Sequence, residues 1–188
     1  MVSVLIVMIA SFIVLNDKQK EFRLGYNKVF LKLIKKENVM VRVEEASLED
    51  CERLCELLSV LFTQEKEFTP NASKQLRGLQ MILNDASVGK IFVLKKEGYI
   101  IGMVSLLFTI STALGEKVAW LEDMIIDTPF QGKGYGKILL KEVLKKAKEF
   151  TCKRVSLKTD ADNLRAQKVY EGLGFEYSTM KVMLYFTS

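Results

Sequence analysis

Residues 131–136 read Gln-Gly-Lys-Gly-Tyr-Gly, with three alternating glycines. An apolar-periodic stretch follows directly, carrying Ile138, Leu139, Leu140, Val143, Leu144, Ala147 and Phe150. Glycines let backbone N–H groups come close to a ligand. The first amides of a helix have no intrahelical acceptor, and the helix dipole favours an anion there. Lys133 and Lys137 add positive charge. A pyrophosphate suits such a turn. The Gly-x-x-x-x-Gly-Lys-Ser/Thr spacing of a Walker loop is missing. The stretch also lacks the early βαβ setting and ribose-binding acid of the dinucleotide fingerprint. A ligand-free turn would need one such glycine, whereas three cost backbone entropy.

The second group that could do chemistry is the Glu122-Asp123 pair. The chain has no histidine, which removes Ser-His-Asp triads, Cys-His dyads and His-based zinc sites. A general base must then be a carboxylate, a lysine, a tyrosine or a water. In an extended strand Val118, Trp120, Glu122 and Met124 share a face. A carboxylate among such neighbours is desolvated, which raises its pKa towards a useful value. Glu122 is therefore the first choice for a base, acting directly or through a water; a strand-end carboxylate in a salt bridge is the alternative. Asp123 faces the other way and is the fallback. Cys51, Cys55 and Cys152 show no paired spacing, so a reducing, cytoplasmic setting is expected, and no metal site.

Around these groups the pattern is regular from Val39. A strand over 39–44 precedes Ser47, which caps a helix carrying Leu54, Leu57, Leu58 and Leu61. A loop over 62–70 leads to a second helix near Asn71, with Leu76, Leu79, Ile82 and Leu83. Strands follow over 90–96, 99–112 and 117–127, the first pair joined by a Glu97-Gly98 hairpin. The helix after the glycine turn is followed by a short strand over 154–159. Asp162 or Asn163 caps a last helix through Glu171, and residues 175–186 supply one or two closing strands. The order gives one mixed α/β domain with helices on both faces of the sheet.

The glycine turn matches the Gln/Arg-x-x-Gly-x-Gly/Ala signature and resembles that of the GNAT acetyltransferases. Leu121-Glu122-Asp123-Met124-Ile125-Ile126-Asp127 is similar to the family's fourth strand. The Glu-Asp pair ahead of the glutamine is similar to that of glucosamine-phosphate and polyamine acetyltransferases. Asn163-Leu164-Arg165-Ala166-Gln167-Lys168-Val169-Tyr170-Glu171-Gly172-Leu173-Gly174-Phe175 resembles the family's Asn-x-x-Ala-x-x-x-Tyr-x-x-x-Gly-Phe. The resemblance implies the GNAT fold, a mixed, mostly antiparallel sheet with a parallel, splayed central strand pair. It implies acetyl-CoA as cosubstrate and transfer of acetyl to an amine. Gln131, Gly132, Lys133, Gly134, Tyr135, Gly136 and Lys137 would hold the pyrophosphate. The backbone of Met124, Ile125 and Ile126 would hold the thioester and pantetheine, with Asn163 on the pantetheine arm or a water. Tyr170 would protonate the thiolate; a core aromatic is the alternative. The loop over 62–70 lies where the family often builds its acceptor pocket. There Glu65 and Glu67 could attract a cationic amine, with Phe62 and Phe68 as walls and Glu122 beside them; a mixed surface loop is the alternative.

Residues 1–38 have no counterpart in that fold. The run Val2–Leu15 is apolar but short for a spanning helix. A dispensable or spurious extension is expected first, and a membrane anchor or an interfacial helix are the alternatives. The domain would then cover 39–188. The net charge of +5 favours anionic ligands but is too mild to argue for nucleic acid. A small-molecule amine is expected as acceptor, and homodimerisation stays open. A noncatalytic acyl-CoA sensor and a protein N-terminal or lysine acetyltransferase are the other readings.

Overall fold

The computed structural model describes residues 41–65 and 67–187. Strand β1, Val41–Glu45, leads to Ser47, whose backbone N–H donates to Asp50 Oδ2 at 2.8 Å. A 3-10 turn over Leu48–Asp50 then opens helix α1, Cys51–Gln64. This helix turns Cys51, Leu54, Leu57 and Leu58 inward. It runs further than the sequence suggests: Phe62 lies in its last turn, and the loop begins at Glu65. No glycine or proline interrupts the stretch before Pro70, and Thr63 Oγ1 bonds back to Ser59 O at 2.7 Å. Helix α2, Ala72–Asn84, is capped by Asn71, whose Oδ1 accepts from Lys74 N at 3.0 Å.

Strands β2 (Gly89–Lys96), β3 (Tyr99–Ser111) and β4 (Glu116–Ile126) continue the sheet. Helix α3, Tyr135–Glu149, is followed by β5, Val155–Leu157, and helix α4, Leu164–Glu171. The strand order is β1-β2-β3-β4-β5. Every pairing is antiparallel except β4–β5, which is parallel. One face carries a core that includes Phe92, Leu106, Leu121, Ile126, Leu139 and Val143, under α3. The other packs Leu54, Leu57 and Leu79 of α1 and α2 against Ile91, Val93, Met103 and Ile125. Arg53 fastens α1 to the sheet through Ile100 O at 3.1 Å and the Asp127 carboxylate. Residues Met40–Ser188 form one compact unit.

Two irregularities of β4 matter for the site. Met103 pairs with Ile125 but Ser105 pairs with Glu122, so Asp123 and Met124 together oppose Val104. This is a β-bulge, and Asp123 takes φ 54° within it. The extra residue reverses the in–out alternation. Ala119 and Leu121 face α3, and so do Met124 and Ile126. Met124 therefore does not share a face with Glu122, as an unbroken strand would require. Second, β5 pairs only with Ala119, Trp120 and Leu121. From Glu122 onward, that side of β4 has no partner strand among the described residues, which is the splay the resemblance implied.

The closing strands expected over 175–186 are not formed. Phe175 N bonds to Tyr170 O at 3.1 Å, and Tyr177 donates to Gln167 Oε1 at 3.1 Å. Beyond them the run from Val182 to Phe186 is apolar on both alternating sets, and all of it is exposed. A strand with two apolar faces needs cover on both, and the described residues supply none. Among the described residues no helix is long and apolar enough to cross a membrane. Residues 1–38, with the run Val2–Leu15, lie outside the described residues.

Leu57 is fully buried where α1 meets the sheet. Leu57→Ala is expected to cost about 2–5 kcal/mol of stability. Urea unfolding would show it as a lower midpoint with an unchanged slope.

Candidate active site

The glycine turn has the local geometry of an anion cradle. Gly132 and Gly134 adopt φ 77° and 83°, a left-handed backbone that side chains with a Cβ rarely take. Gly134 is the N-cap of α3. The first helical closure is Ile138 N to Gly134 O at 3.2 Å, so the amides of Tyr135, Gly136 and Lys137 have no acceptor within the helix. Gln131 ties the turn to β4 by donating from Nε2 to Ile126 O at 2.9 Å. Lys133 Nζ donates to Pro129 O at 2.9 Å and lies 5.8 Å above the Phe130 ring. Lys137 is exposed on the first turn of α3.

Two further cations stand here that the sequence did not single out. Arg165 Nη2 lies 3.2 Å from where a Cβ on Gly132 would be. Lys96 sits 5.5 Å from the Phe130 ring centroid and 5.9 Å from that of Tyr135. The only local signal for Arg165 was its place two residues after the helix cap; the approach of α4 to the turn is a tertiary fact.

The two adjacent carboxylates differ in environment. Asp123 Oδ2 accepts from Ser105 Oγ at 3.2 Å. Burial pushes its carboxyl up to about 6; the Ser105 bond opposes this, and the charge of Glu122 adds to it. Glu122 Oε1 lies 3.3 Å from Lys158 Nζ, and 34% of its side chain is exposed. Lys158 also lies 5.6 Å above the Trp120 ring. The desolvation expected at Glu122 thus falls on Asp123. Burial also raises the Glu65 carboxyl, with Asp160, Asp123, Glu67 and Glu122 contributing in that order. Tyr170 is half-buried and its phenol is pushed up by desolvation. Its ring meets Phe175 edge-on at 5.8 Å. Asn163 Oδ1 accepts from Ala166 N at 3.2 Å, so it caps α4.

A cavity of about 430 Å³ opens beside Asp123. Phe62, Phe68, Leu79 and Ile82 wall it from the α1–α2 side, and Glu67 also lines it. Phe62 and Phe68 lie 5.5 Å apart between ring centroids. Its size and mixed lining are those of a small-ligand site. A larger hollow of about 590 Å³ lies by the β2–β3 turn. Its charged groups are mostly matched to neighbours: Arg53 to Glu56 and Asp127, and Lys95 to Glu44 and Asp50. The smaller cavity is the one that Asp123 lines. Among the described residues no group of His, Cys, Asp and Glu is placed to hold a metal ion.

Residues 51–175 match the Acetyltransferase (GNAT) family, and the chain belongs to that family. It is similar to the spermine/spermidine N(1)-acetyltransferase of Bacillus subtilis (strain 168), 37% identical over 60 residues. That match covers 31% of this chain and 40% of the relative's length. The uncharacterized N-acetyltransferase YhfO of the same organism is 30% identical over 127 residues, 65% of this chain and 83% of that one. A predicted acetyltransferase of Clostridium acetobutylicum, solved with acetyl-CoA, superposes with a TM-score of 0.66 at 16% identity. It covers 78% of this chain and 96% of its own, and shows a shared fold.

The raised carboxyl of Asp123 has a consequence for stability. An acid that holds its proton more tightly when folded favours the folded state below its unfolded pKa. That contribution is lost as pH rises through the folded value, here about 6. Asp123→Asn keeps the shape without the charge. It is expected to raise stability by about 3 kcal/mol at pH 8 and to have little effect near pH 3, read by urea unfolding.

Proposed function

We propose that this chain is an N-acetyltransferase that moves acetyl from acetyl-CoA directly to a primary amine of a small molecule. The observation that carries the reading is Asp123. It is a half-buried, desolvated carboxyl pushed up to about 6, held at a bulge where a strand edge opens beside a cavity with apolar walls. A base of that kind is matched to proton transfer at ordinary pH. Family membership and the acetyltransferase names of the relatives support the reaction type.

The residues present fit acetyl-CoA. Gly132 and Gly134 and the free amides opening α3 suit the pyrophosphate, with Lys133, Lys137 and Arg165 supplying charge. The edge of β4 that β5 leaves uncovered offers the backbone groups of Met124 and the N–H of Ile126 to the pantetheine arm and the thioester carbonyl, while Ile125 between them pairs with β3. That cosubstrate supplies the activated acetyl group. Asp123 takes the proton from the amine as its nitrogen bonds the acetyl carbon and the carbon–sulfur bond breaks. Glu122, paired with Lys158, is the second carboxylate near that centre. Tyr170 returns a proton to the sulfur as the carbon–sulfur bond breaks: burial raises the phenol, so it stays protonated and its proton is there to give. Asn163 holds the start of α4, which carries Tyr170.

The acceptor reading rests on the cavity. Glu67 and Asp123 give it negative charge, and Phe62 and Phe68 give it apolar walls; Glu65 does not line it. This suits a small cationic amine, in keeping with the spermine/spermidine acetyltransferase among the relatives. The test is acetyl-CoA-dependent thiol release across polyamines, amino sugars, amino acids and short peptides. Release with a small amine is expected; tight acetyl-CoA binding without release from any amine would overturn the enzyme reading. Gly134→Glu puts bulk and negative charge at the cradle, so acetyl-CoA affinity should fall about tenfold or more by calorimetry. An unchanged affinity would refute the donor site.

A further inference from the structure

The cavity beside Asp123 contains a polar group that the transfer step does not use. Gln75, on α2, is 7% exposed and lines that cavity. Its Oε1 lies 3.2 Å from Ser59 Oγ. Its Nε2 is the buried side-chain polar atom without a hydrogen-bond partner among the described residues.

The partners of Ser59 decide which way this amide points. Ser59 has one hydroxyl proton, and its Oγ also lies 2.9 Å from Cys55 O, a carbonyl that can only accept. The proton therefore goes to Cys55, and Ser59 offers Gln75 a lone pair. The group of Gln75 that meets this lone pair must be its NH2. Amide oxygen and nitrogen are told apart by such bonds, not by shape. With the amide turned accordingly, the buried atom without a partner is the carbonyl oxygen. It wants an N–H or O–H donor.

The surroundings say what kind of donor fits. Glu65 lies in the field of Asp160, Asp123, Glu67 and Glu122. Among the described residues Lys74 is the one basic residue of the lining, and it is exposed on the first turn of α2. Phe62, Phe68 and Ile82 provide apolar wall for methylene groups. A carbonyl acceptor, an excess of carboxylates and an apolar passage suit a chain of methylenes bearing a cationic nitrogen.

We propose that Gln75, oriented by Ser59, accepts a hydrogen bond from a second, protonated nitrogen of a linear polyamine whose first nitrogen reaches Asp123. Gln75 thereby selects polyamines over monoamines. This rests on the reading that the cavity is the acceptor site.

The experiment titrates spermidine and n-butylamine calorimetrically into the full chain, and separately measures thiol release with each. Spermidine should bind at least about tenfold more tightly than butylamine. Gln75→Leu should remove about that factor for spermidine and leave butylamine unchanged. Gln75→Glu, which keeps an acceptor oxygen but loses the N–H that meets Ser59, should restore part of it. Circular dichroism of both variants checks that they fold. Equal binding of the two amines by the wild type overturns the proposal, as does no binding of either, or an equal loss for both in Gln75→Leu. The last result is the one expected if a bound water alone satisfies the carbonyl. Gln75-dependent spermidine binding without thiol release would uphold this proposal and sink the enzyme reading. Release with both amines that ignores Gln75 would do the reverse.

Discussion

The site depends on one extra residue in one strand. The bulge in β4 sets Asp123 and Met124 against Val104 alone. Everything before it turns Ala119 and Leu121 towards α3, and everything after it turns Met124 and Ile126 the same way. Asp123 absorbs the change with φ 54°, a backbone state that costs a non-glycine residue energy and is enriched at functional sites. The bulge leaves a half-buried carboxyl on the α1–α2 side, bonded to Ser105 of the neighbouring strand. It also falls where β4 leaves β5, so open backbone groups and a carboxyl lie at the same place.

The rest of the fold holds that place from two sides. The glycine turn is moored to the end of β4 by the Gln131–Ile126 bond. Whatever the turn binds is thus registered to the open strand edge. On the opposite face, Arg53 secures α1 to Ile100 and Asp127, which keeps Phe62 and the loop after Gln64 over Asp123. The turn is thus tied to the strand just after the bulge, and the cavity lies beside Asp123 within it.

Much of this was readable in the sequence, because local rules carried it. The alternating glycines, the helix starts near Asn71 and at Asp162 or Asn163, the Glu97-Gly98 turn and the apolar periodicity each fix an element without long-range help. The bulge was not readable. Val118, Trp120, Glu122 and Met124 alternate as an unbroken strand would, and the extra residue shows only in the pairing with β3. That is why Glu122 looked like the buried carboxylate and Asp123 its outward neighbour. The salt bridge from Lys158 and the approach of Arg165 to Gly132 were hidden for the same reason: both join elements distant in sequence. The tail after Gly174 misled in the other direction. Its β-prone residues suggested strands, but a strand forms only against a partner edge.

The central claim is that the carboxylate at the bulge accepts the amine's proton. The pH dependence of kcat/KM in the wild type, in Asp123→Asn and in Glu122→Gln tests it most directly. A rising limb near pH 6 is expected in the wild type. Asp123→Asn should abolish that limb and lower the rate about 10²–10⁴-fold, while Glu122→Gln keeps it. A wild-type profile in Asp123→Asn, with the limb lost in Glu122→Gln instead, would contradict it and move the base one residue back along the strand.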